Sequence, residues 1–262
     1  MPARFFEEVT IPVPRIEEQR RIATVLDAAD ELRAKRREAL AKLDTRTQAI
    51  FIDMFGDPVT NPKQWPAERT LADVSEIRSG ITKGRKTGDV PLTDVPYLAV
   101  ANVQDGHLKL DGIKAIAATA TELERYALRA GDVVLTEGGD PDKLGRGTVW
   151  QGELDPCIHQ NHVFRVRVTD RNLTPEYISL LLGSQRGKRY FLRMAKQTTG
   201  IASINMSQLR GFPLLQPPLE LQHRFLDRVA TVEKVAERGL EASRIVDALF
   251  SSLQQRAFRG EL

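Results

Sequence analysis

Cysteine is nearly absent from this 262-residue chain, in which Cys157 is the single thiol. One cysteine cannot form a disulfide within the chain, and such sparse use is typical of a reducing cytoplasm. Apolar runs are short, far below the roughly 20 residues that cross a bilayer. The first residues also lack the basic segment and apolar run of a secretory signal. We therefore expect a cytoplasmic protein without a membrane segment.

Catalytic motifs are missing as well. Methyltransferases that act on the adenine amino group hold the flipped base with an Asn/Asp-Pro-Pro-Tyr/Phe tetrapeptide, and the nearest match, Gln216 to Leu219, differs at its first and last residues. The Asp/Glu-x-Lys tripeptide of many metal-dependent nucleases does not occur. The glycine-rich segment 183–188 is one residue shorter than a phosphate-binding loop and lacks the following Ser or Thr. We predict no catalytic residue in this chain.

The chain has few side chains that could together bind a metal ion. Cys157, His159 and His162 lie close together in the sequence, but a structural zinc ion normally takes four ligands, and no second cysteine exists. These side chains are better explained as packing at a strand end, so we predict neither a metal nor another cofactor.

Strong net charge is also lacking, because the formal charge is only +3. The excess lies in the middle: residues 58–215 hold 21 basic and 17 acidic side chains, whereas the flanks are balanced. This mild bias is compatible with contact to phosphates but does not establish it.

A repeat is present at the two ends of that middle segment. The stretch from Pro14 to Ile22 aligns with Pro217 to Phe225 at a constant offset of 203 positions, and it includes Gln19 and Gln222. Each copy opens with proline and then glutamate, which is typical of a helix start.

In each copy, the residues that follow form a seam: a row of mainly apolar positions, spaced alternately by four and three residues, that would lie on one side of the helix. Such spacing over about five heptads predicts a coiled coil, with helices of about 38 residues and 57 Å. We favour an antiparallel pair that forms a rod; two amphipathic helices on one ordinary core are the alternative. Arg33, Arg36, Gly239 and Ser243 interrupt the apolar seam, so we expect its middle to be loosened. The seam positions predicted to carry subunit contacts are Ile22, Leu26, Leu40, Leu43, Ile50, Phe225, Val229, Val232, Phe250 and Leu253.

The middle segment has a different pattern, with short β-branched runs separated by glycine-rich turns. Predicted strands cover Val95–Val103, Asp132–Thr136, Thr148–Trp150, His162–Val168 and Phe212–Leu215. Predicted helices cover Ala120–Leu128 and Thr174–Met194, the second with Thr174 as N-cap and proline at its first position. The fold class predicted for the chain is α+β, one mixed domain flanked by two long helices.

Several motifs occur together in a characteristic order. They are Trp65, Leu71–Gly80, Val95–Val103, Gly131–Leu135, Leu144–Gly147, Asn161–Val166, Thr199–Asn205 and Phe212–Leu215, followed by the Pro-Pro-x-Glu-x-Gln helix start. In this order, and with the duplicated helix, the chain resembles the specificity subunits of type I DNA restriction–modification systems over nearly its whole length.

The resemblance implies a division into four parts. Residues 16–57 and 216–262 would be the conserved helices and 58–215 a DNA target-recognition domain. Residues 1–15 would be a remnant of a preceding recognition domain or a linker, with the last strand of that domain at 1–13. Specificity subunits of this family have two such domains, which read the two halves of a split target, so this chain carries one half.

The same resemblance implies a non-catalytic subunit with several partners. These are double-stranded DNA, adenine methyltransferase subunits and restriction subunits. Because the two helices are nearly equivalent, the chain could also form a homodimer that reads a palindromic split site. Two alternatives stay open: a coiled-coil scaffold that does not read DNA, and an inactive fragment of a full-length subunit.

Candidate DNA contacts lie in the loops of the middle domain. The segment His159 to Asn161 offers consecutive hydrogen-bonding side chains, and Gln or Asn can bond adenine through two atoms; a polar turn without a partner is the equal alternative. The basic and polar candidates elsewhere are Lys83, Arg85, Lys86, Lys143, Arg146, Lys188, Arg189, Arg193, Lys196, Gln197 and Thr198. Their alternative is an ordinary solvated surface.

Overall fold

The computed structural model describes residues 15–44, 46–140, 144–198 and 201–259. The chain divides into two compact units, one formed by the segments up to Ile50 and from Asp227, the other by Phe51–Leu226. The strand predicted for residues 1–13 lies outside the described residues.

The first unit consists of long helices. They are α1 (Ile16–Asp44), the start of α2 (Arg46–Phe55) and most of the 41-residue α7 (Leu219–Arg259). Seam positions such as Ile22, Leu26 and Val232 are half-buried, whereas Val25 and Leu32 beside the seam are exposed. The predicted 4-3 seam is therefore confirmed for the described side chains; those of Leu40 and Leu43 lie outside them.

Arg33 joins α1 to α7 in the middle of the seam. Its Nε atom lies 2.6 Å from Oδ1 of Asp247, and its guanidinium stacks 4.3 Å above the ring of Phe250. The end of α2 meets the start of α7, where Phe55 and Phe225 have ring centroids 5.3 Å apart. From Arg33 in α1 to Phe55 in α2 the residue numbers rise, while those of their partners in α7 fall from Asp247 to Phe225, and the predicted antiparallel pairing is confirmed.

The second unit is built on a four-stranded antiparallel sheet. Its strands are β1 (Ser75–Ser79), β4 (Val133–Thr136), β6 (Gly147–Val149) and β8 (Val163–Val168), in the order β1-β8-β4-β6. Every residue of β4 is buried, which explains its continuous β-branched and apolar sequence.

The other strands of the described residues form two smaller sheets. One joins β2 (Thr93–Leu98), β3 (Lys114–Ala118) and β7 (Ile158–His159); the other joins β5 (Gly138–Gly139), β9 (Lys196–Thr198) and β10 (Ile201–Ser203). A core cluster forms around fully buried Trp150, against Leu98, Val134 and Val163.

In the described part of this unit, four shorter α-helices accompany the sheets: α3 (Ala120–Tyr126), α4 (Pro175–Gly183), α5 (Gln185–Met194) and α6 (Met206–Arg210). The predicted start at Thr174 is confirmed, because its side chain accepts a hydrogen bond from Tyr177 N and proline follows. The predicted single helix to Met194 is wrong: Ser184 adopts an extended conformation and caps α5 by accepting from Gly187 N.

Two strand predictions also need correction. Residues 100–102 form a 3-10 helix, so the strand predicted to Val103 ends at Leu98. Residues 212–215 make only an isolated bridge, Thr70 to Pro213. Residues 212–215 pair with the segment 69–71, which is far away in the sequence, so a local sequence pattern does not register how short this pairing is.

The globular unit extends beyond 58–215 on both sides because an aromatic cluster binds the helix ends to it. Phe51, Phe55 and Phe225 pack on one another and on Tyr177, with ring centroids 5.0 to 6.0 Å apart in the contacts between them. No helix of the described residues is long and apolar enough to span a bilayer.

Candidate nucleic-acid interface

One end of the four-stranded sheet gathers most of the predicted DNA contacts. Ser79 at the end of β1 pairs with Phe164 near the start of β8, and Thr136 at the end of β4 pairs with Val163. Gly147 at the start of β6 pairs with Leu135. The loops that follow β1, precede β8 and connect β4 to β6 therefore emerge at the same end.

Two of these loops are held together by backbone hydrogen bonds. Ile81 N donates to His159 O at 2.8 Å, and Asn161 N donates to Ile81 O at 2.9 Å. Gly80 permits this approach, since a Cβ atom there would lie 1.9 Å from His159 O. The loop with Lys83, Arg85 and Lys86 thus starts beside the predicted base-reading segment.

The three basic residues of the first loop have different surroundings. Lys83 and Lys86 are exposed, and Lys83 Nζ lies 5.0 Å above the ring of Tyr97. Arg85 is half-buried, pairs with Glu122 and donates to Ala117 O at 2.8 Å. The Arg85 guanidinium lowers the pKa of Glu122 to about 2. Arg85 therefore fixes the loop to the start of α3, while the two lysines stay accessible.

His159 is fully buried, unlike Gln160 and Asn161, which follow it. Its Nδ1 atom lies 2.7 Å from Val163 O, and burial lowers the pKa of the imidazole to about 4, so the ring is neutral near pH 7. A ring with no exposed surface cannot touch a base in this conformation. Sequence reasoning placed it among exposed polar residues because the loop between two strands looked solvated throughout.

Gln160 and Asn161 keep accessible surface beside the buried histidine. The Asn161 amide nitrogen lies 3.4 Å from His162 Nε2, and the Oδ1 atom has no partner within the part of the chain that the structure describes. His162 Nδ1 lies 2.6 Å from Glu137 Oε2, at the end of β4. This segment presents two amides whose hydrogen-bonding groups remain available to a ligand.

A second cluster of predicted residues surrounds the turn at 104–106. Arg146 Nη1 donates to Gln104 Oε1 at 3.2 Å, and Lys188 Nζ lies 3.8 Å from Asp105 Oδ2. Thr136 N donates to Arg146 O, which attaches this cluster to the same end of the sheet. Arg146 and Lys188 are half-buried.

The remaining candidates lie on α5 and the strand after it. Arg189 and Arg193 are exposed, and Arg193 lies 6.0 Å above the ring of Tyr190. The backbone of Lys196, Gln197 and Thr198 forms β9 and pairs with β10; their side chains, like Lys143 as a whole, lie outside the described part.

A groove that the sequence did not predict runs along β1. It has a volume of about 900 Å³, and its lining includes Arg78, Arg125, Arg210, Tyr126 and Asn161. The three arginines come from β1, α3 and α6, which are far apart in the sequence. Arg78 lies within the motif Leu71–Gly80, but no local motif marks Arg125 or Arg210, for which the basic excess of the middle segment was the available signal.

A buried guanidinium lies behind one wall of this groove. Arg165 has a side chain that is 2% exposed, and its Nη2 atom lies 2.8 Å from Oε1 of Glu76, which also accepts from Arg78 Nε. Arg78 lowers the pKa of the Glu76 carboxyl, and burial lowers the pKa of Arg165. Glu76 therefore compensates part of the local positive charge and keeps Arg165 in place.

The possible metal ligands do not converge. Cys157 is buried, and burial raises the pKa of its thiol to about 12; His159 faces Val163 O, and His162 faces Glu137. Among the described residues, no group of three potential ligands could hold a metal ion.

Known proteins share this architecture over nearly the whole chain. Over 98% of its length it is 24% identical to the type I restriction enzyme EcoKI specificity subunit of Escherichia coli K12 and 23% identical to the StySPI specificity subunit of Salmonella potsdam. The chain is similar to type I specificity subunits. No family model matches it. The resemblance predicted from the order of the motifs is confirmed.

Solved structures show the same fold. The HsdS subunit of Thermoanaerobacter tengcongensis matches 96% of the chain with a TM-score of 0.59 and 22% identity. A chain from a type I R-M system, in a structure concerned with complex assembly and conformational transition, matches 96% with a TM-score of 0.64 and 20% identity. The chain spans 58% of the two specificity subunits and 61% and 62% of the two structures.

Proposed function

We propose that this chain is a non-catalytic DNA specificity subunit, which binds one half-site of a split target in a type I restriction–modification complex. The observation that carries the proposal is its similarity to two specificity subunits over 98% of its length. The loops gathered at one end of the sheet support it, because recognition residues usually lie on loops held by a rigid scaffold.

Within this proposal, Gln160 and Asn161 read base edges. A side-chain amide can bond the N6 and N7 atoms of adenine together, which gives about 1–3 kcal/mol of discrimination against another base. The accessible cations near them, Lys83 and Lys86, hold phosphates and fix the register of the protein on the duplex. Arg146, Lys188, Arg189 and Arg193 extend the same surface.

Catalysis in the complex belongs to other subunits. The chain positions adenine-N6 methyltransferase subunits over the target, and restriction subunits join the same assembly. The half-buried seam of α1 and α7, with Ile22, Leu26, Val229, Val232 and Leu253, is the proposed framework for docking. Phe225 is fully buried within the chain, so its ring contributes by holding the helix.

Methylation of a plasmid by the partner methyltransferase, with and without this chain, tests the function. We expect sequence-specific N6-methyladenine only when the chain is present. Equal and equally specific methylation in its absence would contradict the proposal.

DNA binding measured across salt separates this function from a scaffold role. A DNA reader loses affinity as salt rises, because binding releases counterions from the phosphates. If the chain associates with the methyltransferase but shows no DNA affinity at any salt concentration, it acts as a coiled-coil scaffold instead.

The second half-site is supplied, we propose, by a second copy of the chain. The two helices are near-equivalent in sequence, and a twofold dimer pairs with a palindromic split target. Sedimentation of the chain with and without methyltransferase should show a dimer. A monomer at every accessible concentration under both conditions would contradict this.

A further inference from the structure

The groove along β1 has the wrong lining for a small apolar ligand. Ligand pockets of comparable size are lined mainly by hydrophobic and aromatic side chains. Here most of the lining is polar or charged, and three of the lining side chains are arginines: Arg78, Arg125 and Arg210.

Two of these arginines lack protein partners. Neither the Arg125 nor the Arg210 guanidinium forms a hydrogen bond or ion pair with any residue that the structure describes; Arg125 only approaches the ring of Tyr126, at 5.5 Å. Arg78 shares Glu76 with the buried Arg165. The described lining of the groove therefore holds three arginines and a single carboxylate, Glu76, whose charge is already shared with Arg165, so the groove carries a net positive charge.

Asn161 connects this groove to the proposed base-reading segment. It lines the groove while Gln160 and His162 lie beside it in the loop before β8. Ser79 Oγ donates to Asn161 O at 2.5 Å, which fixes the loop on the end of β1. A ligand strand in the groove would therefore pass within reach of the reading amides.

We propose that the groove binds the sugar–phosphate backbone of the target DNA, with Arg125 and Arg210 contacting phosphates. This inference rests on the proposed function and adds a positioning site that no single sequence motif marks. The planar guanidinium matches phosphate oxygens through two parallel hydrogen bonds. A peptide partner would instead require pockets for alternate side chains, which this polar lining does not provide.

The test compares two double variants of the full chain on a short fluorescent duplex of mixed sequence. Arg125→Ala/Arg210→Ala removes the proposed phosphate contacts. Arg129→Ala/Arg171→Ala removes the same charge from two exposed arginines that do not line the groove. Affinity is measured by anisotropy over a series of salt concentrations, and thermal melting confirms that each variant is folded.

We expect the groove variant to lose about tenfold or more in affinity at low salt, and its slope of log affinity against log salt to fall by about two. The loss should be equal on two unrelated duplexes, because phosphate contacts carry no sequence information. Arg125→Lys/Arg210→Lys should retain most of the slope, and the control pair should match the wild type.

Three results would overturn the inference. Wild-type affinity and slope in the groove variant would remove the groove from the interface while leaving the proposed function intact. An equal loss in the control pair would show an effect of net charge alone. Failure of the wild-type chain to bind DNA at any salt would overturn both the groove and the proposed function.

Discussion

His159 is a neutral, buried imidazole whose Nε2 atom has no partner among the described residues. Burial lowers its pKa most; nearby Arg165 lowers it further, and Asp132 raises it. Its folded pKa of about 4 lies below the ordinary value near 6.5. Below pH 6.5 the unfolded chain takes up a proton that the folded chain does not. The free energy of unfolding is therefore unaffected by this histidine above pH 6.5, and it decreases as the pH drops from 6.5 toward 4.

This histidine should cost the protein about 2 kcal/mol of unfolding free energy between pH 7 and pH 5. Urea unfolding at pH 7, 6 and 5 measures how much unfolding free energy is lost in the wild type and in His159→Phe. The carboxylates and the other histidines contribute equally to the pH dependence of both proteins, so the difference between them reports on His159. The variant should have a flatter profile over this range. Parallel profiles for the two proteins would show that His159 does not titrate as a buried base.

Glu76 has two guanidinium partners of unequal burial, and their removal should have unequal effects. Glu76→Ala leaves the buried Arg165 without its carboxylate, which should reduce the free energy of unfolding by about 2 kcal/mol. Arg78→Ala removes the partner that is 42% exposed and should cost less than about 1 kcal/mol. Denaturant midpoints compare the two. Equal losses would mean that Arg165 finds other compensation.

At the scale of elements, the repeat glutamine Gln222 holds the start of α7. Its side chain is fully buried; Oε1 accepts from Thr174 N at 2.9 Å, and Nε2 donates to Pro217 O and Asn172 O. The motif Pro-Pro-x-Glu-x-Gln thus fastens the helix to the start of α4. Sequence comparison located the motif, but its contacts join segments about 50 residues apart and were not predictable.

Gln222→Ala should destabilise the globular unit by about 2–3 kcal/mol, because three backbone groups, two of them buried, lose their partner. Arg224→Ala, two positions along the same helix and exposed, is the matched control and should change stability by less than about 0.5 kcal/mol. Thermal or urea unfolding measures both. Similar stability for the two variants would contradict a structural role for this glutamine.

The elements that the sequence predicted well are those with a local signal. The seam of α1 and α7 follows from 4-3 spacing, and the Thr174 cap from the Thr-Pro pair. Strand β1 was missed because Ser75–Ser79 is largely polar along one edge of the sheet. The groove arginines were missed because α3, β1 and α6 meet only through tertiary packing, whereas Asn161 was found from its polar loop.

At the scale of the molecule, one unit carries the loops gathered at one end of the four-stranded sheet, and the other consists of long paired helices. Both are formed from a single chain whose duplicated helix brackets the α+β domain. The similarity to specificity subunits covers nearly all of this chain and 58% of each of those proteins. The proposed division of labour follows: the loops select the DNA, and the helices hold the partner subunits.

The most direct test of this account is a map of N6-methyladenine in DNA treated with the partner methyltransferase. Three samples are compared: the methyltransferase alone, with the wild-type chain, and with the reading variant Gln160→Ala/Asn161→Ala. The exposed pair Gln151→Ala/Glu153→Ala provides a matched surface control. We predict one defined motif with the wild type and the control, no motif with the methyltransferase alone, and a relaxed or lost motif with the reading variant. The same methylated motif in all of these samples would contradict the claim that this chain selects the target.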